Sequence, residues 1–415
     1  MNIAVFPYNF PPLRGGIHTW LYSICKNFTT DRVTCIVEKA ENAEKFDQQQ
    51  EFKIIRSESE ADVTFTLLIK KLFIVLAFFY RYVKPQNISF KSIVLGIKVF
   101  NSMNYMQINY IVQNYFAWIS KGDAGNEDFV LCGTVLPVGI IAFLHSLFFK
   151  KPYAVLAHGQ EILSWKTSKK YAKLLKIIYQ NAYLVVANSH YTKSLLLDFV
   201  EDEKIQIIHP GANKAVFFPK PKSVHLLKKY NLNQKTVLLT TSHLVERKGH
   251  DYVLKAIANL IKNFPDLVYL IVGRGPNRNR LEFMTRKLGI MNSVIFAGYI
   301  KDELLVDYYN LCDIFIMPSR ITGNSVEGFG IAYIEANACG KPVIGGHAGG
   351  VPDAVLHEQT GLLVDPVNTA EIETAIRKLL QPDYANTLGV NGKNRVQNEL
   401  NWKDSAQKLR NAIKV

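Results

Sequence analysis

Two glutamates that lie eight residues apart, Glu327 and Glu335, form the clearest chemical pattern in this sequence. They belong to the segment SVEGFGIAYIEANACGKPVIGG, in which Gly328 and Gly330 follow the first glutamate. A carboxylate can accept hydrogen bonds from two adjacent hydroxyl groups, as the diol of a ribose or a hexose requires. We predict a helix that begins near Phe329, which places the first carboxylate in the preceding loop and the second about two turns into the helix.

The start of this predicted helix is a candidate anion site. Gly328 and Gly330 let another group approach the backbone closely, because glycine has no side chain. The exposed N–H groups at a helix start favour a negative charge. A glycine turn that simply packs before a helix is the structural alternative, and this segment alone does not decide between the two.

A second, cationic element strengthens the anion-site hypothesis. The segment SHLVERKGHDYVL, residues 242–254, places Arg247, Lys248 and Gly249 between a predicted strand and a predicted helix. Positive charges at that position can hold a diphosphate and neutralise it as it leaves. Basic pairs are also common on protein surfaces, so neither element is specific by itself.

Three shorter motifs are weaker candidates. PPLRGGIHTW places Gly15 and Gly16 after the first strand and at a helix start, where a phosphate could approach. LAHGQE places His158 at the end of a strand, although a lone histidine is more often structural. GRGPNRNRLE, residues 273–282, is a further glycine turn that opens a helix, and a structural role is an adequate explanation for it.

The elements that must position these residues follow from an alternation of short apolar strands and longer helices. This alternation predicts parallel sheets covered by helices on both faces. The predicted strands are IAVFPY, FVLC, YAVLA, YLVVA and IQIIH, and then TVLLTT, LVYLIVG, VIFAG, DIFIMPS, PVIGG and GLLV. The segment HPGANKAVFFPKP, with three prolines and a glycine, separates the two sets.

The predicted fold is therefore α/β, with two doubly wound Rossmann-like domains. We expect an N-terminal domain at 1–208, a linker at 209–221 and a C-terminal domain at 222–395. A final helix at about 396–415 is expected to pack back on the first domain. Because open α/β sheets bind ligands at the carboxyl ends of their strands, both sheets are expected to face one interdomain cleft.

Composition describes an ordinary globular protein with an excess of positive charge. The chain has a formal net charge of +14, with 48% hydrophobic and 20% charged residues. The five cysteines are scattered without a C-x-x-C pair, which predicts reduced thiols and neither a disulfide frame nor a zinc site. The apolar segment 131–149 has the length of a membrane span, but its Gly-Thr pair and Pro137 favour a strand, a turn and a buried helix. No secretory signal and no transmembrane helix are expected.

One basic stretch suggests a membrane partner. Between Val63 and Lys121 the sequence contains seven Lys or Arg and no Asp or Glu, together with many aromatic and aliphatic residues. This combination suits an anionic bilayer surface, and a solvated basic face over a helical core is the alternative. No nucleic-acid motif accompanies the stretch, so nucleic acid is not an expected partner.

Taken together, these motifs resemble glycosyltransferase family 4, whose members have the two-domain GT-B fold. The matching segments are RGGIHTWLYSI, KPYAVLAHGQE, VVANSHYTKSLL, HPGANKAVFFP, SHLVERKG, GRGPNRNRLE, VIFAGYIKDELL and the glutamate segment, which fits E-x7-E, and they span about residues 1–380. EGFGIAYIEANACGKPVI further resembles the bacterial phosphatidylinositol mannosyltransferases. The resemblance implies a hexosyltransferase that uses a GDP- or UDP-linked sugar as its donor and needs neither a metal nor another cofactor. It also implies that the N-terminal domain, 1–208, binds the acceptor and that the C-terminal domain, 222–395, binds the nucleotide sugar.

The resemblance also implies roles for single residues. Glu335 would bind the ribose, and Glu327 would hold a hydroxyl of the donor sugar. Lys248 would bind the phosphates with help from the loop at Gly16, and His158 would lie near the anomeric carbon. The implied catalytic residues are His158, Glu327, Lys248 and Arg247, and the implied donor-binding residues are Gly15, Gly16, His243, Arg247, Lys248, Gly275, Ile300, Asp302, Glu327, Gly328, Phe329, Gly330, Ile331 and Glu335.

Backbone groups and one acidic side chain complete the implied donor site. The backbone at Phe329, Gly330 and Ile331 would line the sugar and the diphosphate, and the backbone near Ile300 would contact the base. Asp302 lies near the expected base pocket and favours guanine, although an N-cap of the next helix is an adequate structural role for it. GDP-mannose is therefore preferred over a UDP-hexose as the expected donor.

One position departs from the family pattern. Many members carry an arginine five residues before the lysine, where this chain has His243. Either Arg247 supplies the missing charge, or His243 is protonated beside the phosphates. The sequence shows no convincing D-x-D metal motif.

The expected function is transfer of a mannose- or glucose-type hexose, with retention of anomeric configuration, to a glycan or lipid-linked acceptor in cell-envelope or exopolysaccharide biosynthesis. The enzyme is expected in the cytoplasm, peripheral on the cytoplasmic face of the membrane. The alternatives are a non-catalytic nucleotide-sugar-binding protein and a glycoside hydrolase with Glu327 and Glu335 as its carboxylate pair. A Rossmann oxidoreductase is not expected, because the dinucleotide glycine fingerprint is absent.

Overall fold

A computed structural model describes residues 1–8, 10–12, 16–57, 105–121 and 124–414, without the side chains of 16–18 and 105–108. These residues form two compact units. The N-terminal unit contains Met1–Ile208 and Ser405–Val415, and the C-terminal unit contains His209–Asp404.

A seven-stranded sheet forms the centre of the N-terminal unit. Its strands are β1 (Asn2–Phe6), β2 (Arg32–Glu38), β3 (Lys53–Ser57), β4 (Phe129–Cys132), β5 (Tyr153–Ala157), β6 (Leu184–Ala187) and β7 (Ile205–Ile207). They lie in the order β3-β2-β1-β4-β5-β6-β7, and every neighbouring pair is parallel. β4 and β5 are buried along their whole length, which is why each is a continuous apolar run.

Helices connect these strands. Those described in this unit are α1 (Gly16–Asn27), α2 (Ala43–Asp47), α3 (Tyr105–Ser120), α4 (Val138–Phe149), α5 (Gln160–Lys166), α6 (Lys169–Asn181) and α7 (His190–Leu196). The apolar segment 131–149 consists of the end of β4, a turn and α4, whose first six residues are buried. No helix in the described part of the chain is long and apolar enough to cross a membrane.

A six-stranded sheet forms the centre of the C-terminal unit. Its strands are β8 (Thr236–Thr241), β9 (Leu267–Val272), β10 (Val294–Gly298), β11 (Ile314–Met317), β12 (Val343–Gly346) and β13 (Gly361–Val364). They lie in the order β10-β9-β8-β11-β12-β13, again with parallel neighbours. The chain therefore reverses its direction of winding between β8 and β11, and doubly wound sheets bind ligands outside the carboxyl ends of the strands at such a point.

Helices precede, connect and follow the strands of the C-terminal unit. They are α8 (Val224–Lys229), α9 (His250–Leu260), α10 (Arg278–Lys287), α11 (Asp302–Leu311), α12 (Ile331–Ala338), α13 (Val351–Ala354), α14 (Thr369–Leu379), α15 (Pro382–Asn398) and α16 (Trp402–Ala412), of which α16 runs on into the N-terminal unit. A short 3-10 turn, Glu246–Lys248, precedes α9.

Two strands of the N-terminal sheet were not among those predicted from the sequence. In β2, exposed and half-buried residues interrupt the buried ones, and β3 alternates between exposed, half-buried and buried residues. Neither strand therefore has the continuous apolar run that identifies a strand buried on both faces.

The segment predicted as a linker, 209–221, belongs to the C-terminal unit. Its residues Pro210, Gly211 and Ala212 are buried, and the Ala212 N–H donates a hydrogen bond of 2.8 Å to the Leu400 carbonyl oxygen. A Cβ atom at Gly211 would overlap the backbone of Asn401. This segment is thus packed against its unit from its first residues.

The chain returns to the N-terminal unit at Ser405, later than the predicted residue 396. α15 stays with the C-terminal unit because Gly389 and Gly392 lie against the backbone of Gly340 and the side chain of Asn337, where a Cβ atom would not fit. Within the N-terminal unit, Arg410 then donates a hydrogen bond of 2.6 Å to Asp31.

Candidate functional site

The turn after β8 lies against the segment after β11. Gly249, between the Glu246–Lys248 turn and α9, has a φ of +76°, and a Cβ atom there would overlap the carbonyl oxygen of Pro318. Only glycine permits both that backbone conformation and that approach. The approach brings the predicted cationic residues Arg247 and Lys248 next to the segment that carries Glu327.

The helix after Glu327 begins later than predicted. α12 starts at Ile331 and not near Phe329, so Glu335 lies about one turn into the helix and not two. Gly330 has a φ of +99°, a left-handed conformation that a right-handed helix cannot include, and it caps the helix instead. A Cβ atom at Gly330 would lie 2.5 Å from the Tyr333 ring.

Glu327, Arg247 and Lys248 form an ion cluster at the carboxyl ends of β8 and β11. The Glu327 Oε2 atom accepts a hydrogen bond of 2.6 Å from Arg247 and another from the Lys248 ammonium. The three side chains are only 14%, 18% and 10% exposed, respectively. The Glu327 carbonyl oxygen also accepts a hydrogen bond of 2.8 Å from the Gly350 N–H, which fixes the main chain at Glu327.

The charges of this cluster determine its protonation. Burial alone would raise the pKa of Glu327, but the charges and hydrogen bonds of Lys248 and Arg247 lower it to about 2. Burial lowers the pKa of Lys248, and the Glu327 charge opposes that change. The carboxylate is therefore ionised at neutral pH, and two cations share it.

Glu335 has a different environment from Glu327. Its Oε2 atom accepts a hydrogen bond of 2.7 Å from the Tyr309 hydroxyl, which is itself 2.7 Å from the Thr241 hydroxyl at the end of β8. Burial raises the pKa of Glu335 to about 7. Among the described contacts of this carboxyl group, no cation compensates for the loss of hydration. The two glutamates thus differ in their titration: the neighbouring cations lower the pKa of Glu327, and burial raises the pKa of Glu335.

A buried chain of hydroxyls and one imidazole supports the cationic turn. Thr240 donates to the Ile316 carbonyl oxygen, so the Tyr269 hydroxyl, 2.8 Å away, donates to Thr240. Tyr269 must then accept from His250 Nδ1 at 2.8 Å, which leaves His250 Nε2 to accept from Ser242 at 3.0 Å. Burial and the charge of Lys248 lower the pKa of His250 to about 3, which keeps it neutral. No local sequence motif indicates this hydrogen-bonded series.

The two candidates for the missing family arginine have different surroundings. The His243 side chain is exposed, whereas Arg247 joins the cluster beside Lys248. Arg247 is thus the residue whose charge lies beside the lysine.

The residues predicted near the base lie after β9 and β10. A Cβ atom at Gly275 would lie 2.6 Å from the Leu244 carbonyl oxygen, so glycine is needed there for packing. Ile300 is half-buried. Asp302 is the first residue of α11 and not its N-cap, which is Lys301, so the structural role suggested for Asp302 was wrong. Its charge contributes to the raised pKa of Glu335.

The predicted residues of the N-terminal unit are only partly described. Gly15 lies outside the described residues, and Gly16 is the first residue of α1. His158 follows β5 and is buried, with its Nε2 atom 2.7 Å from the Gly133 carbonyl oxygen and its ring 5.0 Å from that of Trp20. Since a carbonyl can only accept, Nε2 carries a proton and Nδ1 is the atom that can accept when the ring is neutral. The catalytic role of His158 stays a prediction.

The basic stretch between Val63 and Lys121 falls mostly outside the described residues. In its described part, Tyr110, Tyr115 and Trp118 of α3 are buried in the core of the N-terminal unit. These three aromatic side chains are therefore core residues and do not face a membrane.

A buried ion pair that was not predicted from the sequence lies next to the cluster. Arg320, after β11, donates two hydrogen bonds of 2.9 Å to the carboxylate of Asp251 in the first turn of α9. The two residues lie 69 positions apart, and nothing in their local sequence indicates a partner. The available sequence signal was that Asp251 follows β8 and Arg320 follows β11, which are adjacent strands of the sheet.

Comparison with known proteins identifies the class of protein that this fold and site define. The family model for glycosyl transferases group 1 matches residues 225–395, and the model for Glycosyltransferase Family 4 matches residues 74–216. A GDP-mannose-dependent alpha-(1-6)-phosphatidylinositol monomannoside mannosyltransferase of Mycolicibacterium smegmatis is 32% identical over 67% of this chain and 74% of that protein. The chain belongs to the family 4 glycosyltransferases and is an enzyme, which confirms the predicted family and favours a transferase over a hydrolase.

A second relative and two solved structures also resemble this chain. A GDP-mannose-dependent monoacylated alpha-(1-6)-phosphatidylinositol monomannoside mannosyltransferase of Corynebacterium glutamicum is 29% identical over 69% of this chain and 76% of that protein. Anabaena HepE in complex with UDP has a TM-score of 0.74 and 18% identity, with 100% of this chain and 99% of that chain covered. Sucrose-phosphate synthase from Thermosynechococcus elongatus has a TM-score of 0.74 and 21% identity, with 99% and 97% covered. These structures confirm the predicted GT-B fold.

Proposed function

We propose that this glycosyltransferase transfers mannose from GDP-mannose to a lipid-linked or glycan acceptor, with retention of configuration at the anomeric carbon. The relatives from Mycolicibacterium smegmatis and Corynebacterium glutamicum, whose names include GDP-mannose dependence, support this donor. A UDP-hexose is the second candidate, because Anabaena HepE binds UDP and UDP-glucose. The observation that carries the proposal is the cluster in which Arg247 and Lys248 surround the Glu327 carboxylate.

In the proposed binding mode, the donor occupies the carboxyl ends of β8 and β11. Its diphosphate contacts Lys248 and Arg247, the backbone before α12 lines the sugar, and Glu335 accepts hydrogen bonds from the ribose diol. Glu327 accepts a hydrogen bond from a sugar hydroxyl. Charge-assisted bonds of these kinds are stronger than neutral ones, which suits a polar and charged substrate.

The proposed reaction breaks the bond between the anomeric carbon and the phosphate oxygen while the acceptor oxygen bonds to that carbon. Negative charge develops on the leaving diphosphate, and Lys248 and Arg247 stabilise it in a partly buried site. A phosphate oxygen of the donor takes the proton of the acceptor hydroxyl. Glu327, already engaged by two cations, positions the sugar and does not attack it.

We propose further that the reaction needs no metal ion and no other cofactor. The two cationic side chains supply the positive charge that a divalent cation supplies to diphosphates in other enzymes. The test is transfer in the presence of EDTA, and a requirement for added Mg²⁺ or Mn²⁺ would contradict this part of the proposal.

The proposed acceptor is an amphiphile at an anionic membrane surface on the cytoplasmic side. The excess of positive charge and the relatives' phosphatidylinositol mannoside substrates support it. Co-sedimentation with anionic and with neutral vesicles at low salt tests the membrane contact. Failure of anionic vesicles to retain the protein would remove the membrane from the proposal, and transfer to a soluble glycan would then be expected.

The donor is tested by thermal shift with a set of nucleotide sugars, followed by a transfer assay with the ligand that stabilises most. GDP-mannose is expected to raise the unfolding temperature more than UDP-glucose or UDP-galactose, because a bound ligand stabilises the folded state by mass action. If only a UDP-sugar stabilised the protein, that UDP-sugar would replace GDP-mannose as the proposed donor. Stabilisation by none of them, together with no transfer, would contradict the proposed function.

A further inference from the structure

Asp251 and Arg320 form a buried ion pair beside the candidate donor site. The Arg320 guanidinium donates one hydrogen bond of 2.9 Å to each oxygen of the Asp251 carboxylate. Asp251 is 7% exposed and Arg320 is 8% exposed. A planar pair with two parallel bonds fixes the orientation as well as the distance of its partners, which a single bond does not.

Each partner belongs to a segment that carries residues of the ion cluster. Asp251 is the second residue of α9, directly after the turn that contains Arg247 and Lys248. Arg320 follows β11 in the segment that leads to Glu327. The pair therefore joins the segment of the two cations to the segment of their carboxylate.

Arg320 also holds the cationic turn through its backbone. Its N–H donates a hydrogen bond of 2.7 Å to the carbonyl oxygen of Arg247. Arg320 thus supports the turn in two ways: its side chain acts through Asp251, and its main chain bonds directly to Arg247. The two segments also approach closely at Gly249, where a Cβ atom would overlap the carbonyl oxygen of Pro318.

The surroundings of the pair offer no equal substitute within the described residues. Arg280 lies 3.6 Å from Asp251, but its side chain is 55% exposed. Glu246 lies 3.4 Å from Arg320, and its side chain is 50% exposed. Exposed and longer contacts of this kind contribute little to a fixed geometry, because water and side-chain motion compete with them.

We propose that Asp251 and Arg320 are positioning residues for glycosyl transfer, which hold Arg247 and Lys248 where they meet the donor diphosphate. The proposal rests on the proposed function, because it assumes that these two cations bind the diphosphate. Neither residue of the pair touches the substrate, and both act through the cationic turn. Loss of the pair leaves the cations present but places them less accurately.

The test compares the wild type with Arg320→Met, Arg320→Lys and Asp251→Asn. Arg320→Met and Asp251→Asn are expected to lower kcat about 10- to 100-fold, as misplacement of a catalytic group does, with a smaller change in the acceptor KM. Arg320→Lys restores the charge without the two-bond geometry and is expected to recover part of the lost rate. The double variant that combines Arg320→Met with Asp251→Asn is expected to be no slower than the slower of these two single variants, since the two residues act as one unit.

The matched control is Asp313→Asn, at the opposite ends of the same two strands. Asp313 precedes β11 and accepts bonds of 2.7 Å from Lys222 and 2.8 Å from the Val237 N–H of β8. This variant is expected to lose stability yet keep kcat within about 2-fold of the wild type, because it leaves the carboxyl ends of the strands unchanged. Equal losses of kcat in Asp313→Asn and Asp251→Asn would overturn the proposal.

Hydrogen–deuterium exchange of the backbone from 244 to 250 provides a readout that needs no donor. Faster exchange of this turn in Arg320→Lys and Asp251→Asn, but not in Asp313→Asn, is the expected result, and unchanged exchange would overturn the proposal. Both of these variants keep a polar side chain, so they carry the test if Arg320→Met does not fold. A wild type that transfers from no donor would contradict the proposed function, and the exchange result would still decide on the position of the turn.

Discussion

Lys248 and Glu327 lie 79 residues apart in the sequence, yet the ammonium of the first donates a hydrogen bond to the carboxylate of the second. Arg247 donates to the same oxygen, so two positive charges contact one negative charge in a nearly buried setting. A buried cluster with excess positive charge favours a further anion, because that anion restores the balance. The diphosphate of a nucleotide sugar is an anion of the right kind.

Removal of the Lys248 ammonium should slow transfer without unfolding the protein. Lys248→Ala is expected to lower kcat/KM at least about 100-fold, because loss of one charge-stabilising donor costs about 3 kcal/mol or more of transition-state stabilisation. The Glu327 carboxylate keeps its bond to Arg247 in this variant. Initial rates with GDP-mannose measure the effect.

The control for this variant is Lys255→Ala, an exposed lysine on α9 whose ammonium lies 4.2 Å from the centre of the Tyr252 ring. It also removes one positive charge, from the helix that follows the turn of Lys248, and it is expected to keep nearly full activity. Near wild-type turnover of Lys248→Ala would show that this lysine has no role in stabilising the leaving group.

Glu327 should compete with the phosphates for its two cations. In Glu327→Gln the competing charge is lost, so GDP is expected to bind about 10-fold more tightly, a gain of about 1.4 kcal/mol. Transfer is expected to be slower in the same variant, because the amide is a weaker acceptor for the sugar hydroxyl than a carboxylate. Calorimetric titration with GDP and UDP, together with initial rates, measures both effects.

Glu246→Gln separates this competition from a general change in charge. Glu246 lies next to Arg247 in the chain, but its side chain is 50% exposed and contacts Arg320 at 3.4 Å. Its removal is expected to change GDP affinity by less than about 2-fold, since exposed charges are well screened. Weaker or unchanged GDP binding by Glu327→Gln would mean that the carboxylate does not compete with the phosphates for the two cations.

The sequence predicted most of the sheets because parallel strands buried on both faces are continuous apolar runs. β8, β9 and β11 are of this kind, with no exposed residue. β2 was missed because exposed and half-buried residues interrupt its buried ones. The start of α12 was predicted two residues early, since the left-handed conformation of Gly330 cannot be read from the residue type.

The candidate site was predicted residue by residue but not as a set of contacts. Lys248 and Glu327 were both identified, but their ion pair depends on how the segments after β8 and β11 meet. Arg320 and Asp251 carried no sequence pattern at all and lie 69 residues apart. The pairing of side chains across adjacent strand ends is a tertiary property, and local residue spacing does not contain it.

Glu335 should make stability depend on pH near neutrality. Burial raises its pKa from an ordinary value of 4.5 to about 7, so the folded protein binds more protons than the unfolded chain between these values. The free energy of unfolding is therefore expected to fall as pH rises from about 4.5 to about 7, by up to about 3 kcal/mol, and to level off above that range. Unfolding by urea at several pH values measures this slope.

The comparison variant for this slope is Glu335→Gln, which cannot ionise and should lack its contribution. Donor affinity of the wild type is expected to change in the opposite direction and to rise with pH through about 7, because the ionised carboxylate accepts from both ribose hydroxyls. An identical pH dependence of stability in the wild type and in Glu335→Gln would contradict the assignment of this titration to Glu335.

Gly330 should tolerate no side chain, for two independent reasons. Its φ of +99° disfavours any residue with a Cβ atom, and that atom would lie 2.5 Å from the fully buried Tyr333 ring. The Tyr333 hydroxyl donates to the Met317 carbonyl oxygen, so the ring cannot move away without losing that bond. Gly330→Ala is expected to lower the free energy of unfolding by about 1–3 kcal/mol or more and to reduce transfer, because the start of α12 shifts.

Gly289→Ala is the matched control for backbone strain alone. Gly289 also has a positive φ, +70°, but no atom lies within 4 Å of where its Cβ would stand. This variant is expected to lose only about 1 kcal/mol, the cost of a left-handed conformation, and to keep full activity. Chemical denaturation and initial rates of both variants measure the difference. If Gly330→Ala proved as stable and as active as Gly289→Ala, the Tyr333 ring would not constrain the start of α12, and the amides there would not be held in place for the donor.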